Sequence, residues 1–207
     1  MLNKNNNALY GIIERQRLNS IKKELFRKSI HICASFTPLA FSIAKIPTII
    51  FFLTLLLLYI ISEILRLHGI QVPLIASVTR TAARKRDEDK FVLGPVTLVM
   101  GILLSVIFFP LENARLGIFA LAFGDGFASL GGKLIGKVPL PLSRGKTVAG
   151  SLACFFAVFV AIFCASRNCT ISFFLAFATM ALEILPLLDF DNILLPLAIS
   201  ALSMIFI

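Results

Sequence analysis

The chain has 207 residues, is 58% hydrophobic and has a mean hydropathy of +0.93, whereas soluble domains are about 45–50% apolar, which excludes an ordinary soluble fold. Its formal charge of +9 would point to nucleic acid in a soluble protein. Here the charge sits between apolar runs, so anionic lipid headgroups and cytosolic phosphates are the expected partners, and nucleic acid is not.

Residues 1–29 read as a basic cytoplasmic N-terminal segment, an Asn-rich tip followed by the helix-like GIIERQRLNSIKKELFRKS. No cleavable leader is expected, because roughly thirty residues, many of them charged, precede the first apolar run. Residues 30–207 read as a transmembrane catalytic domain, all-α and polytopic. Its apolar runs fall near 30–46, 47–65, 94–110, 114–136, 148–166, 170–186 and 190–207. Several are close to the short end of the roughly 17–25 residues that a spanning helix needs, and about seven spans are predicted. Cys33, Cys154, Cys164 and Cys169 form no CxxC pair and lie in or beside these runs, so neither a disulfide nor a cysteine metal site is expected.

Orientation follows from the basic residues. Seventeen lysines and arginines fall in the N-terminal segment, the loop after the second run and the stretch 133–146; only Lys45, Arg115 and Arg167 fall on the other side. The positive-inside rule therefore places the N-terminus in the cytoplasm. On that topology Glu63, Glu183, Asp189 and Asp191 collect at the cytoplasmic side, where nucleotide triphosphates are found.

Asp125 is the exception, about midway along the fourth run. A carboxylate there costs a few kcal/mol even on the lenient insertion scale, so it is read as functional. On a helix, Asp125, Ser129, Gly132 and Gly136 share one stripe. Lys133, Lys137, Arg144 and Lys146 follow at once. An acid able to hold a cation, beside bare backbone and lysines, is the chemistry of a nucleotide-phosphate site. Either a polar cavity reaches Asp125 or the helix breaks near Gly131 and Gly132. Helix packing is the competing reading of the glycines. The segment Gly145-Lys146-Thr147 looks like the end of a P-loop, but Leu140 stands where the upstream glycine belongs and no strand precedes it, so a P-loop fold is rejected. Arg27, Lys28 and His31 share a helix face before the first run; membrane anchoring accounts for the first two and not for His31. Asp191 and Asn192 are residue types that also suit a helix N-cap.

Together these residues resemble the CTP-dependent lipid kinases: dolichol kinase, phytol and farnesol kinases, and the yeast-type CTP-dependent diacylglycerol kinase. The similarity runs through R-K-x-x-H (Arg27, Lys28, His31), E-x-x-R (Glu63, Arg66), a charged loop with Glu88, and G-D-x-x-A-S-x-x-G-x-x-x-G-K from Gly124 to Lys137, with one residue of slack at Gly131-Gly132. It continues through G-K-T-x-x-G-S (Gly145 to Ser151), Glu183, and D-N-x-x-x-P (Asp191, Asn192, Pro196). Ala149 stands where such kinases often carry an acid. Phosphatidate cytidylyltransferases share a related core but usually add a C-terminal charged signature; this chain runs on from Pro196 in eleven apolar residues.

The resemblance implies transfer of the γ-phosphoryl of CTP to the hydroxyl of a membrane lipid, a polyprenol, an isoprenoid alcohol or diacylglycerol, with Mg²⁺ as cofactor. It implies catalytic roles for Asp125, Lys146, Glu183 and His31. Nucleotide or phosphate binding is implied for Arg27, Lys28, Gly124, Ser129, Gly132, Lys133, Gly136, Lys137, Gly145, Thr147 and Asn192, and metal binding for Asp125, Glu63, Glu183 and Asp191. CDP-diacylglycerol synthesis is the first alternative, and a non-enzymatic small membrane protein or transporter the second; no inverted repeat supports a transporter.

Overall fold

The computed structural model describes residues 2–70, 72, 73, 75, 79, 81, 90–141, 143 and 145–206. Among them the chain forms eight principal helices: α1 Leu2–Ala34, α2 Thr37–Ile43, α3 Lys45–Leu67, α4 Gly94–Phe108, α5 Leu111–Ile135, α6 Val148–Ser166, α7 Cys169–Ile184 and α8 Asp191–Ser203. The all-helical architecture is as the apolar runs predict. Helices α3, α5 and α6 are long and apolar enough to cross a membrane, and α4, α7 and α8 are apolar but shorter.

Local chemistry sets the boundaries. Proline occupies the first turn of α2 and of α4, where its missing N–H costs nothing. Thr147 caps α6 by accepting from Gly150 N at 3.2 Å, and Asn168 caps α7 by accepting from Ile171 N at 3.1 Å. Arg167, in the left-handed region at φ 54°, ends α6.

The first apolar run differs from the single span expected of it. Helix α1 continues unbroken through residues 29 and 30, turns at Ser35 and Phe36, and hands over to the short α2. The buried positions of α1 include Glu24, Lys28, His31 and Ala34, a helical stripe facing α5. Its charged members lie inside the bundle even though hydropathy assigns them to the basic segment.

Helix α5 is the axis of the bundle. One core cluster packs its Ala114, Ile118 and Leu121 against α1, α2, α4 and α8; a second packs Leu116, Ala120 and Ala128 against α6, α7 and α8. Helix α8 comes in closest. A Cβ on Gly117 would lie 2.2 Å from Pro196 O, and one on Gly101 would lie 2.1 Å from Asn192 O. Pro196 has no N–H to offer that carbonyl, four residues earlier in the helix, and the bare Gly101 of α4 packs against it instead.

The surface is the inverse of a soluble one. Helix α3 exposes Ile50, Leu53, Leu57, Ile61 and Ile64, and α7 exposes Phe173, Phe174 and Phe177, while Glu24, Lys28, Glu63, Asp125, Glu183 and Asp191 lie inside. Soluble monomers rarely expose apolar patches beyond a few hundred Å². The chain is an integral membrane protein.

Candidate active site

At the end of the bundle where α5 finishes and α6 begins, a cavity of about 300 Å³ opens, at the lower end of the range for small-molecule sites. Helix α5 is continuous to Ile135, so Asp125 is reached through this cavity and not through a helix break. Helix α7 stops at Ile184 and α8 starts only at Asp191, and this shortness leaves room beside the longer α5. Ser129, Gly132 and Lys133 line it from α5, Gly145 to Thr147 and Gly150 to Ser151 from the hairpin and the start of α6, and Leu185, Pro186 and Leu188 from the connection between α7 and α8.

Three carboxylates meet inside it. Asp125, Glu183 and Asp191 each offer an oxygen, and the three oxygens lie within 4.8 Å of one another. All three residues are buried. The Oε2 of Glu183 is buried without a hydrogen-bond partner among the described residues. Like charges so close in a low-dielectric site repel strongly, and an orphaned buried carboxylate oxygen is costly. A hard cation relieves both penalties, and oxygen-only ligands suit Mg²⁺. The residues present therefore fit the metal.

Basic side chains border the cluster on two sides. From α1, Lys28 Nζ lies 2.5 Å and His31 Nδ1 2.9 Å from Asp125 Oδ2. From the loop before α6, Lys146 Nζ is 3.1 Å from Glu183 Oε1 and 3.3 Å from Leu185 O, and also touches Glu183 O. An ammonium on the carbonyls that end a helix is doubly favourable, as a hydrogen-bond donor and as a charge on the negative end of the dipole.

The loop that delivers Lys146 is a small hairpin. Leu140 N donates to Lys146 O at 2.8 Å, Lys146 N to Ser143 O at 2.8 Å, and Val148 N to Val138 O at 3.1 Å. Gly145 sits at φ +90° with open space around it, so backbone conformation, not crowding, favours glycine there. The hydroxyl of Thr147 serves as the α6 cap, where the P-loop likeness would have it bind phosphate or metal.

Most of the other motif glycines carry the α5–α6 contact. A Cβ on Gly150 would fall 2.6 Å from Ala128 O, one on Gly131 2.7 Å from Ala153 Cβ, and one on Gly136 2.4 Å from Thr147 Oγ1. Gly124 packs on Thr179 and Val158. The helix-packing reading holds for these positions, while Gly132, Gly145 and Gly150 also line the cavity.

Several expected site residues lie elsewhere. Glu63 is outside the carboxylate cluster: Oε1 accepts from Arg66 Nη2 at 2.7 Å and Val92 N at 2.8 Å, and Oε2 from Arg66 Nε at 2.9 Å. With both oxygens occupied it ties α3 to the chain entering α4. Asn192 directs its amide to Thr97 Oγ1 at 3.0 Å and Gly94 O at 3.4 Å, again toward α4. Lys137 is exposed beyond α5 and does not line the cavity. Lys28, expected on phosphate, is 1% exposed and pairs with Asp125. Arg144 and Glu88 lie outside the described residues.

Sequence reasoning missed Glu24. Its carboxylate is buried among Arg27, Ser129 and Lys133, the last at 2.6 Å, with Lys28 at 3.9 Å. The available signal was the spacing of Glu24, Lys28 and His31, which puts an acid and two cationic types on one helical face.

Comparison with known proteins agrees with the motifs. The chain is 32% identical over 142 residues to "CTP-dependent diacylglycerol kinase 1" of Eremothecium gossypii, a match covering 65% of this chain and 43% of that protein. It is 30% identical over 99 residues to "Probable phytol kinase, chloroplastic" of Zea mays, covering 46% and 32%. It is 27% identical over 149 residues to "Phytol kinase 1, chloroplastic" of Arabidopsis thaliana, covering 70% and 49%. The chain thus spans less than half the length of these curated relatives. No family model matches it, and no solved structure does. At modest identity, the chain is a homologue of CTP-dependent diacylglycerol kinase and of phytol kinases, as its motifs imply.

Proposed function

We propose that this chain is a lipid kinase that transfers the γ-phosphoryl of CTP to the hydroxyl of a membrane lipid, with its site facing the cytoplasm. The observation that carries the reading is the cluster of Asp125, Glu183 and Asp191 in a cavity whose walls also bear Lys146 and Lys133. Phosphoryl transfer needs little covalent chemistry from a protein; it needs positioning and charge neutralisation. Orientation rests on the seventeen-to-three basic asymmetry.

Roles follow from position. Asp125, Glu183 and Asp191 would hold Mg²⁺, which when bound neutralises charge on the β- and γ-phosphates. Lys146 and Lys133 attract the polyphosphate from two elements that line the cavity, and the N-terminus of α6 adds its positive dipole. The lipid oxygen forms the new bond to the γ-phosphorus as the bond to the β-phosphate oxygen breaks, releasing CDP. The hydroxyl proton passes to a carboxylate of the cluster and from there to water. Lys28 keeps Asp125 anionic, with His31 packed beside it. The apolar side chains of Leu185 and Leu188 would admit an acceptor from the membrane while excluding water.

The test is transfer of label from γ-labelled and from α-labelled CTP to a panel of polyprenol, phytol, farnesol and diacylglycerol. Label from the γ position alone is expected in the lipid, and CTP is expected to exceed ATP, GTP and UTP as donor. Label arriving from the α position would establish a cytidylyltransferase instead, and no lipid product from any donor would remove the kinase reading.

A further inference from the structure

Beyond the cluster that would hold the metal, the molecule contains a second buried charge centre built around Glu24, an acid the mechanism above does not use. Glu24 of α1 is 5% exposed. Its Oε1 takes the Ser129 hydroxyl and the Arg27 guanidinium, and its Oε2 takes the Lys133 ammonium at 2.6 Å. Ser129 and Lys133 stand on the cavity wall, one helical turn apart on α5; Glu24 itself does not line the cavity. The carboxylate therefore sits behind the wall and holds two of its polar groups.

The charge balance explains why an acid is needed there. Arg27, Lys28 and Lys133 converge on this one carboxylate. Without it, Arg27 and Lys28 of α1 would approach Lys133 of α5 with no carboxylate of Glu24 between them, Lys28 keeping Asp125 as its other partner. That repulsion acts where α1 must stay in register for Lys28 and His31 to meet Asp125. A lysine also has a long, flexible stem, and an unheld Lys133, 41% exposed at its side chain, spreads over many rotamers. Binding phosphate then requires ordering it first.

We infer that Glu24 is a positioning residue for the nucleotide site, fixing Lys133 and Ser129 on the cavity wall. It touches neither substrate nor the carboxylate cluster, and it acts through Lys133. The inference rests on the kinase reading.

The experiment is a double-mutant cycle on the full chain, with Glu24→Gln and Lys133→Met made singly and together, and KM for CTP and kcat measured for γ-phosphoryl transfer. Glu24→Gln keeps the size of the side chain and loses the charge. It is expected to raise KM for CTP about tenfold with kcat within about threefold, the pattern of lost ground-state binding. The double variant is expected to be no worse than Lys133→Met alone, because the two residues act as one unit. A merely structural Glu24 would lower the folded yield and kcat, and its effect would add to that of Lys133→Met; that result overturns the inference while the kinase reading stands. Should Glu24→Gln fail to accumulate, Glu24→Asp serves, since it keeps the charge but stops about one bond, ~1.5 Å, short. An unchanged KM in Glu24→Asp overturns the inference, and a raised KM that merges with that of Lys133→Met supports it. Absence of transfer in the wild type removes the kinase reading and this inference together.

Discussion

Two buried glutamates of this chain, Glu63 and Glu183, show how the same side chain serves opposite ends. Both lie one turn or less from the end of a helix and both are 5% exposed or less. Glu63 is saturated by the bidentate Arg66 and a backbone N–H. Glu183 has a lysine on one oxygen, no hydrogen-bond partner among the described residues on the other, and two more carboxylates within 4.8 Å. A satisfied buried acid fixes a helix. An undersatisfied one among other acids is an electrostatic fault in the fold, and only a cation or a proton corrects it.

The sharpest way to break this comparison is to neutralise each acid in turn. Glu183→Gln is expected to cut γ-phosphoryl transfer by about two orders of magnitude or more, the scale on which positioned electrostatic groups act. Thermal stability in detergent should hold or rise, because one of three mutually repelling charges is gone. Normal turnover in that variant would remove the cluster from the mechanism.

Asp125 tests the border of the cluster. Asp125→Asn should abolish transfer, but it also strips the counter-ion from Lys28, which is 1% exposed. Breaking a buried pair by removing one partner costs about 3–5 kcal/mol, so the variant should melt well below the wild type. Adding Lys28→Met should restore stability without restoring activity. If Asp125→Asn alone is as stable as the wild type, Lys28 and Asp125 do not form a stabilising buried pair.

Glu63→Gln is the mirror image of Glu183→Gln. It keeps the size of the side chain but weakens a charge-assisted fork, and charged hydrogen bonds contribute about 1.5–3 kcal/mol each. A lower melting temperature is expected with kcat within about twofold of wild type. A hundredfold loss of turnover in a folded Glu63→Gln would return it to the active site.

How much of this was legible beforehand varies with the physics of each feature. Helix content and apolar runs were legible because lipid imposes length and hydropathy on every span. Asp125 was legible because a carboxylate in an apolar run has no cheap explanation. Glu24 was not, because an acid in a basic, polar stretch looks solvated; only packing of α1 on α5 buries it. Glu63 and Glu183 were only half distinguishable: the i,i+3 spacing of Glu63 and Arg66 was legible, but Val92 beside Glu63, and Asp125 and Asp191 beside Glu183, are contacts that no local spacing encodes. The break at Ser35 and Phe36 escaped for a similar reason: hydropathy runs straight through it.

The smallest expected effect concerns acid pH and Glu24, which sits in the other acid-bearing contact, between α1 and α5. Burial pushes its carboxyl upward, but Arg27 and Lys28 nearby and hydrogen bonds from Lys133 and Ser129 outweigh this and hold it down to about 2, against an ordinary 4.5. A carboxyl with a depressed folded-state value stabilises the fold above its unfolded value and loses that contribution as pH falls toward the folded one. The contribution of Glu24 should therefore be complete at neutral pH and fade between about 4.5 and 2. Glu24→Gln cannot titrate, so its deficit in melting temperature relative to wild type should be largest near pH 7 and shrink steadily below 4.5. Melting both proteins in the same detergent across that range reads the difference directly and cancels the titration of the other acids. A deficit that stays constant down to pH 3 would mean that Glu24 stabilises the α1–α5 contact by shape and not by charge, and the opposed cations around it would then need another anion.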